Sequence, residues 1–131
     1  MNNVILMMLL AFVSSSAMAE WVEIGSSEDG AMTVYANPAT LRKVVSKVKM
    51  WDLGDYKTAN DAGNGKQYMS IKGQTEYNCK EEQYRTLYLS FYSGNMGTGE
   101  IIGTHPDAKK WLPVMPDSLI EALWKFACRK R

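Results

Sequence analysis

The sequence is poor in the residues from which most active sites are built. One histidine and two cysteines in 131 residues leave few routes to a zinc site or a His-centred catalytic centre. No charge of one sign dominates: 15 Lys and Arg face 14 Asp and Glu, a formal net charge of +1. That balance gives no overall electrostatic reason to expect nucleic acid or an anionic membrane as the main partner. The longest apolar run, Val4 to Val13, has ten residues, about half of what a membrane-spanning helix needs. What remains is 46% hydrophobic and 22% charged, the composition of a globular chain of one domain.

The ten-residue run is followed by Ser14-Ser15-Ser16 and then Ala17-Met18-Ala19. A short apolar core ending in Ala-x-Ala is the pattern of a cleaved secretory signal, so residues 1–19 are expected to be removed and the domain to occupy residues 20–131. No Lys or Arg precedes the run, and no cysteine lies near the cut to carry a lipid. The expected location is the periplasm, or the cell surface or medium if the chain is exported further. N-terminal sequencing of the exported protein should begin at Glu20; a chain still starting at Met1 in the membrane fraction would refute the cleavage.

Export gives the two thiols their meaning. Cys79 and Cys128 are expected to pair in an oxidising compartment. They lie too far apart in sequence for a C-x-x-C redox pair, which makes the bridge structural.

Short runs of alternating apolar and polar residues predict strands at Trp21–Ile24, Met32–Ala36, Lys47–Leu53, Tyr68–Cys79, Tyr84–Tyr92 and Glu100–Thr104. Asn37-Pro38 reads as a stop after the second strand. The polar stretch 58–66 and the glycine-rich stretch 94–99 read as the most mobile loops, since neither can bury much surface. After residue 117 the period changes. Ser118-Leu119-Ile120-Glu121 is a capping box, and Ile120, Leu123, Trp124, Ala127 and Cys128 recur at helical spacing. The fold class is therefore α+β: an antiparallel sheet of about six strands with one C-terminal helix on one face, clipped by the disulfide. The helix is expected to cover Met69, Ile71, Tyr77, Leu87, Leu89 and Phe91.

Few residues suggest chemistry. His105, in Gly103-Thr104-His105-Pro106, reads as a surface-loop histidine without a nucleophile context or a second histidine. The adjacent carboxylates Glu28-Asp29 and Glu81-Glu82 read as solvated turn charges. The Asn- and Gly-rich stretch 55–65 lacks the ligand spacing of a calcium loop. No cofactor, metal or catalytic residue is expected. Lys47 and Lys49 beside Trp51 on one strand, and the stripe Tyr84, Tyr88 and Tyr92 on another, form the candidate binding surface. Aromatics beside cations can hold a ligand; they also cover the second face of a sheet or build a dimer interface.

These landmarks, in this order, resemble the surface-adhesin protein E family of bacterial exported proteins. The matching stretches include Trp21-Val22, Asn37-Pro38, Met50-Trp51-Asp52-Leu53 with Asp55-Tyr56, and Glu76-Tyr77-Asn78-Cys79. Arg85, Phe91-Tyr92-Ser93, Met96-Gly97-Thr98-Gly99, Trp111-Leu112-Pro113-Val114 and Cys128 complete the set. The resemblance implies an adhesin-like, non-catalytic module with a protein partner, extracellular or in the envelope, and a homodimer as an option. A periplasmic structural or envelope-assembly component is the alternative function, and a small enzyme comes behind both.

Overall fold

The computed structural model describes residues 20–106 and 110–130, so the expected signal segment lies outside the described residues. Seven strands form one antiparallel sheet. They are β1 (Val22–Ser26), β2 (Met32–Val44), β3 (Lys47–Asp61), β4 (Gln67–Asn78), β5 (Gln83–Tyr92), β6 (Ile101–Pro106) and the two-residue β7 (Leu112–Pro113). The first six follow one another in space as in sequence, and β7 pairs with the start of β5. Among the described residues one α-helix, α1 (Leu119–Cys128), packs across one face.

Helix α1 begins where the capping pattern places it. The Ser118 side chain accepts from the Glu121 amide at 3.1 Å. The Glu121 carboxylate reaches back to the Asp117 amide, at 3.3 Å, one residue earlier than in the usual box. Leu123 and Ala127 are buried against Val34 and Ala36 of β2, Val48 and Met50 of β3, and Tyr77 of β4. Trp124 sits at the margin of this cluster and donates its indole N–H to the Asn78 carbonyl at 3.0 Å. Beside it the Cys79–Cys128 disulfide joins the end of β4 to the last turn of the helix.

The helix covers β1 to β4 rather than the β5 residues that simple alternation assigns to it. Leu87, Leu89 and Phe91 take no part in the buried cluster. Leu89 and Phe91, opposite Gly73 and Ile71, are on the helix side of the sheet but outside that cluster. A bulge interrupts the strand before them: Gln74 is opposite Tyr88 but Thr75 is opposite Thr86, so Leu87 is the extra residue. One inserted residue reverses the faces of the rest of a strand. Tyr84, opposite Tyr77, therefore lies on the helix-covered side, while Tyr88 and Tyr92 lie on the other. Phe91 packs edge-on against Tyr68 and His105, with ring centroids 5.0 and 5.6 Å apart.

Three other expectations need correcting. Strand β2 does not stop at Asn37-Pro38 but runs on to Val44 through a register shift between Asn37 and Arg42. Proline has no N–H to give the ladder, and Thr40 makes good the gap by donating to the Asn37 carbonyl and accepting from the Trp51 amide. Residues 58–61 belong to β3, with Asn60 and Asp61 paired to Tyr68 and Gln67 of β4, leaving only 62–66 as the turn. His105 stands in strand β6, paired with Leu89, and not in a loop.

The glycine-rich stretch 94–99 is tied down, contrary to the mobility its composition suggests. It forms one 3-10 turn, Asn95–Gly97, laid across β3 and β4. Asp55 accepts from the Asn95 side chain and from the Met96 amide at 2.7 Å. The fully buried Ser70 hydroxyl donates to the Gly94 carbonyl and accepts from the Gly97 amide. Gly97 is required here, because its φ is 70° and a Cβ would run into the Lys72 side chain.

Candidate functional site

The face of the sheet opposite α1 is crossed at one end by the 94–99 turn, which bonds to Asp55 and Ser70. Strand alternation puts Lys47, Lys49, Trp51, Leu53 and Asp55 of β3 on this face. The register then adds Lys72, Gln74 and Glu76 of β4 and Arg85, Tyr88, Ser90 and Tyr92 of β5. Leu53 is fully buried. A cleft of about 380 Å³ runs over it, bounded by Trp21, Asn37, Trp51, Lys72, Tyr88 and Tyr92.

The cleft has two chemical characters. Trp51 and Tyr88 meet edge to face with centroids 5.9 Å apart; each ring limits the other's rotation, which presents rigid apolar area at small entropic cost. At the far side the Lys72 ammonium sits 5.2 Å from the Tyr92 ring centroid. A cation held against a ring remains available to an incoming carboxylate. Asn37, Thr40 and Ser90 supply polar groups around these anchors.

The other end of the same face is closed by Trp111, which follows the residues leading out of β6. Its ring carries the Arg85 guanidinium at 4.6 Å and the Lys47 ammonium at 5.6 Å. Arg85 also grips the nearly buried Glu76 through two nitrogens, at 2.7 and 2.8 Å. Both nitrogens meet one oxygen, Oε1, in a charge-assisted pair that satisfies an acid otherwise stranded in the sheet.

Of the six residues singled out by sequence, Trp51, Tyr88 and Tyr92 line the cleft and Lys47 lies in the Trp111 cluster. Lys49 is exposed opposite Glu76, and Tyr84 is directed to the core cluster on the opposite side. Lys72, Trp21 and Trp111 were not anticipated. Each was visible as a residue type, but only the tertiary structure brings Lys72 and Trp21 to the Trp51 cleft and Trp111 to Arg85 and Lys47.

On the helix-covered side one acid stands apart. Asp52 accepts a hydrogen bond from Thr75 at 2.8 Å. Burial pushes its carboxyl up to about 7, against the lowering effect of the Thr75 hydrogen bond. The Tyr77 hydroxyl is buried nearby without a hydrogen-bond partner, and burial and the Asp52 charge raise its pKa well above the ordinary value. Among the described residues no group of three or more His, Cys, Asp and Glu side chains could hold a metal, and no helix is long and apolar enough to cross a membrane.

The family model described as Surface-adhesin protein E matches residues 21–129. Among solved structures, the fold is similar to that of Haemophilus influenzae protein E, with a TM-score of 0.64 at 13% identity, covering 87% of each chain. A second crystal form of that protein gives 0.65 at 13% identity, covering 87% of this chain and 91% of the other. Protein E from non-typeable Haemophilus influenzae gives 0.58 at 12% identity, covering 86% and 78%. No curated protein sequence matches the chain.

Proposed function

The chain belongs to the surface-adhesin protein E family, and from that premise we propose that it is an exported, non-catalytic binding module that captures a protein partner on its open sheet face. The observation that carries this is the Trp51–Tyr88–Tyr92–Lys72 cleft. Trp and Tyr anchors with a neighbouring cation are the residue types that dominate binding energy at protein interfaces. A complementary ligand places an apolar or aromatic side chain against Trp51 and Tyr88 and a carboxylate near Lys72. The polar rim of Asn37, Thr40 and Ser90 then sets orientation.

His105 supports the non-catalytic part of the reading. Its ring is packed perpendicular to Phe91 on the edge strand, which is an aromatic packing role.

The test has two arms. Proteolysis of intact cells should cleave the protein if it is displayed on the surface; full protection points instead to a periplasmic envelope component. Solid-phase binding to an extracellular-matrix preparation should weaken at least about tenfold for Tyr88→Ala and for Lys72→Glu, the loss expected of interface anchors. Lys125→Gln, on the exposed helix surface, should bind as the parent does. Equal binding by all three variants would remove the cleft from the function.

A further inference from the structure

The side of the sheet under α1 holds an acid without a counter-ion. Strand alternation puts Asp52 on the same side as Val48 and Met50. Its Oδ2 accepts from the Thr75 hydroxyl at 2.8 Å. Its Oδ1 lies over Gly73, the residue opposite on β4, where a Cβ would stand only 3.1 Å away. Among the described residues no donor reaches that second oxygen. The groups around Asp52 are Thr75 and Tyr77 from β4, Val34 and Ala36 from β2, Gly54 of its own strand, and Ile120 and Leu123 from α1. None is a cation, and Tyr77 is the one that titrates. The helix charges Glu121 and Lys125 pair with each other at 3.6 Å and line no part of this region. Buried charges ordinarily acquire a partner; here burial instead keeps the carboxyl protonated up to about 7.

Asp52 is not sealed off. It forms part of the wall of a groove of about 230 Å³ between the start of α1 and strands β2 to β4. The half-buried side chains of Met32, Tyr56, Ile71, Leu119 and Ile120 make the rest of that wall apolar. Gly54 keeps the groove open, since a Cβ there would come within 3.3 Å of the Met32 methyl. An apolar cavity of about 150 Å³ takes up benzene, so this groove has room for one ring and a short chain. It offers apolar walls to the body of a ligand and a single acid to its head. A neutral head leaves the charge of Asp52 unpaired, and a carboxylate head adds a second negative charge. A primary ammonium brings three donors and the missing positive charge, and it can also lie against the Tyr56 ring.

We propose that the groove between α1 and strands β2 to β4 binds a small amphiphilic amine, its apolar body against Met32, Ile71 and Ile120 and its ammonium on Asp52. Charge complementarity selects this class of ligand. The groove lies on the side of the sheet opposite the Trp51 cleft, so the assignment does not depend on capture of a protein partner there. The pairing requires an ionised Asp52. An alkylamine keeps its proton through neutral pH, as a lysine does, so binding should tighten as pH rises through the Asp52 transition and level off above it.

Calorimetric titration of the exported chain with phenethylamine should show binding about tenfold tighter at pH 8 than at pH 6. Phenethyl alcohol has the same body without the charge. At pH 8 it should bind at least about tenfold more weakly than the amine, with no dependence on pH. Asp52→Asn keeps the acceptor for Thr75 and removes the charge, so it should bind the amine no better than the alcohol. Gly54→Val fills the groove and should abolish binding of both. Equal binding of amine and alcohol by the parent, or undiminished amine binding by Asp52→Asn, would overturn the proposal. So would an affinity independent of pH, or full amine binding by Gly54→Val. If Gly54→Val does not fold, the Asp52→Asn comparison decides alone.

Discussion

Replacing both Cys79 and Cys128 by serine is expected to lower stability by about 2–5 kcal/mol, the usual cost of losing a native bridge from a small exported domain. The bridge spans 49 residues of sequence. On the chain-entropy view, opening a loop of that size frees the unfolded state by about 4 kcal/mol, a large share of the roughly 5–15 kcal/mol that holds a domain together. The native state is also exposed to the loss. Helix α1 has ten residues, too few to be stable alone in water. It stays on the sheet through Leu123, Ala127, the Trp124–Asn78 hydrogen bond and the disulfide. Urea unfolding of parent and double variant measures the difference; a shift below about 1 kcal/mol would show that packing alone retains the helix. Replacing both thiols together avoids mispairing of the survivor.

Asp52→Asn is expected to stabilise the protein at neutral and alkaline pH and to leave it almost unchanged near pH 4. The folded carboxyl is raised from 3.8 to about 7 by burial. Between those values the native state holds a proton that the unfolded chain has released, so stability falls as pH rises through this window. A shift of that size corresponds to at most about 4 kcal/mol. Asparagine removes the titration and keeps the contacts: its carbonyl accepts from Thr75 as the carboxylate does. Its amide can donate to the Tyr77 hydroxyl, which is buried without a partner. The measurement is the urea midpoint of both proteins at several pH values between 4 and 8. Parallel profiles would show that Asp52 is not the group that titrates.

The sequence by itself determined the periodic parts of this protein. Alternation located six strands, the Ser118–Glu121 pattern located the start of the helix, and two thiols in an exported chain left one pairing. These signals are local: a side chain's position relative to its neighbours along one element follows from backbone geometry. Only the tertiary structure decided which side of the sheet each strand shows and what its neighbours are. The slip at Leu87 sends Tyr84 under the helix and leaves Tyr88 and Tyr92 on the open face, and no alternation rule reveals an inserted residue. The turn at 94–99 looked unstructured because its partners, Asp55 and Ser70, lie 41 and 27 residues away. Lys47, Arg85 and Trp111 are scattered in sequence, yet they converge in one cluster. Charge and aromatic surfaces are made by strand register, which is a long-range property, so composition can supply their residues without showing where they meet.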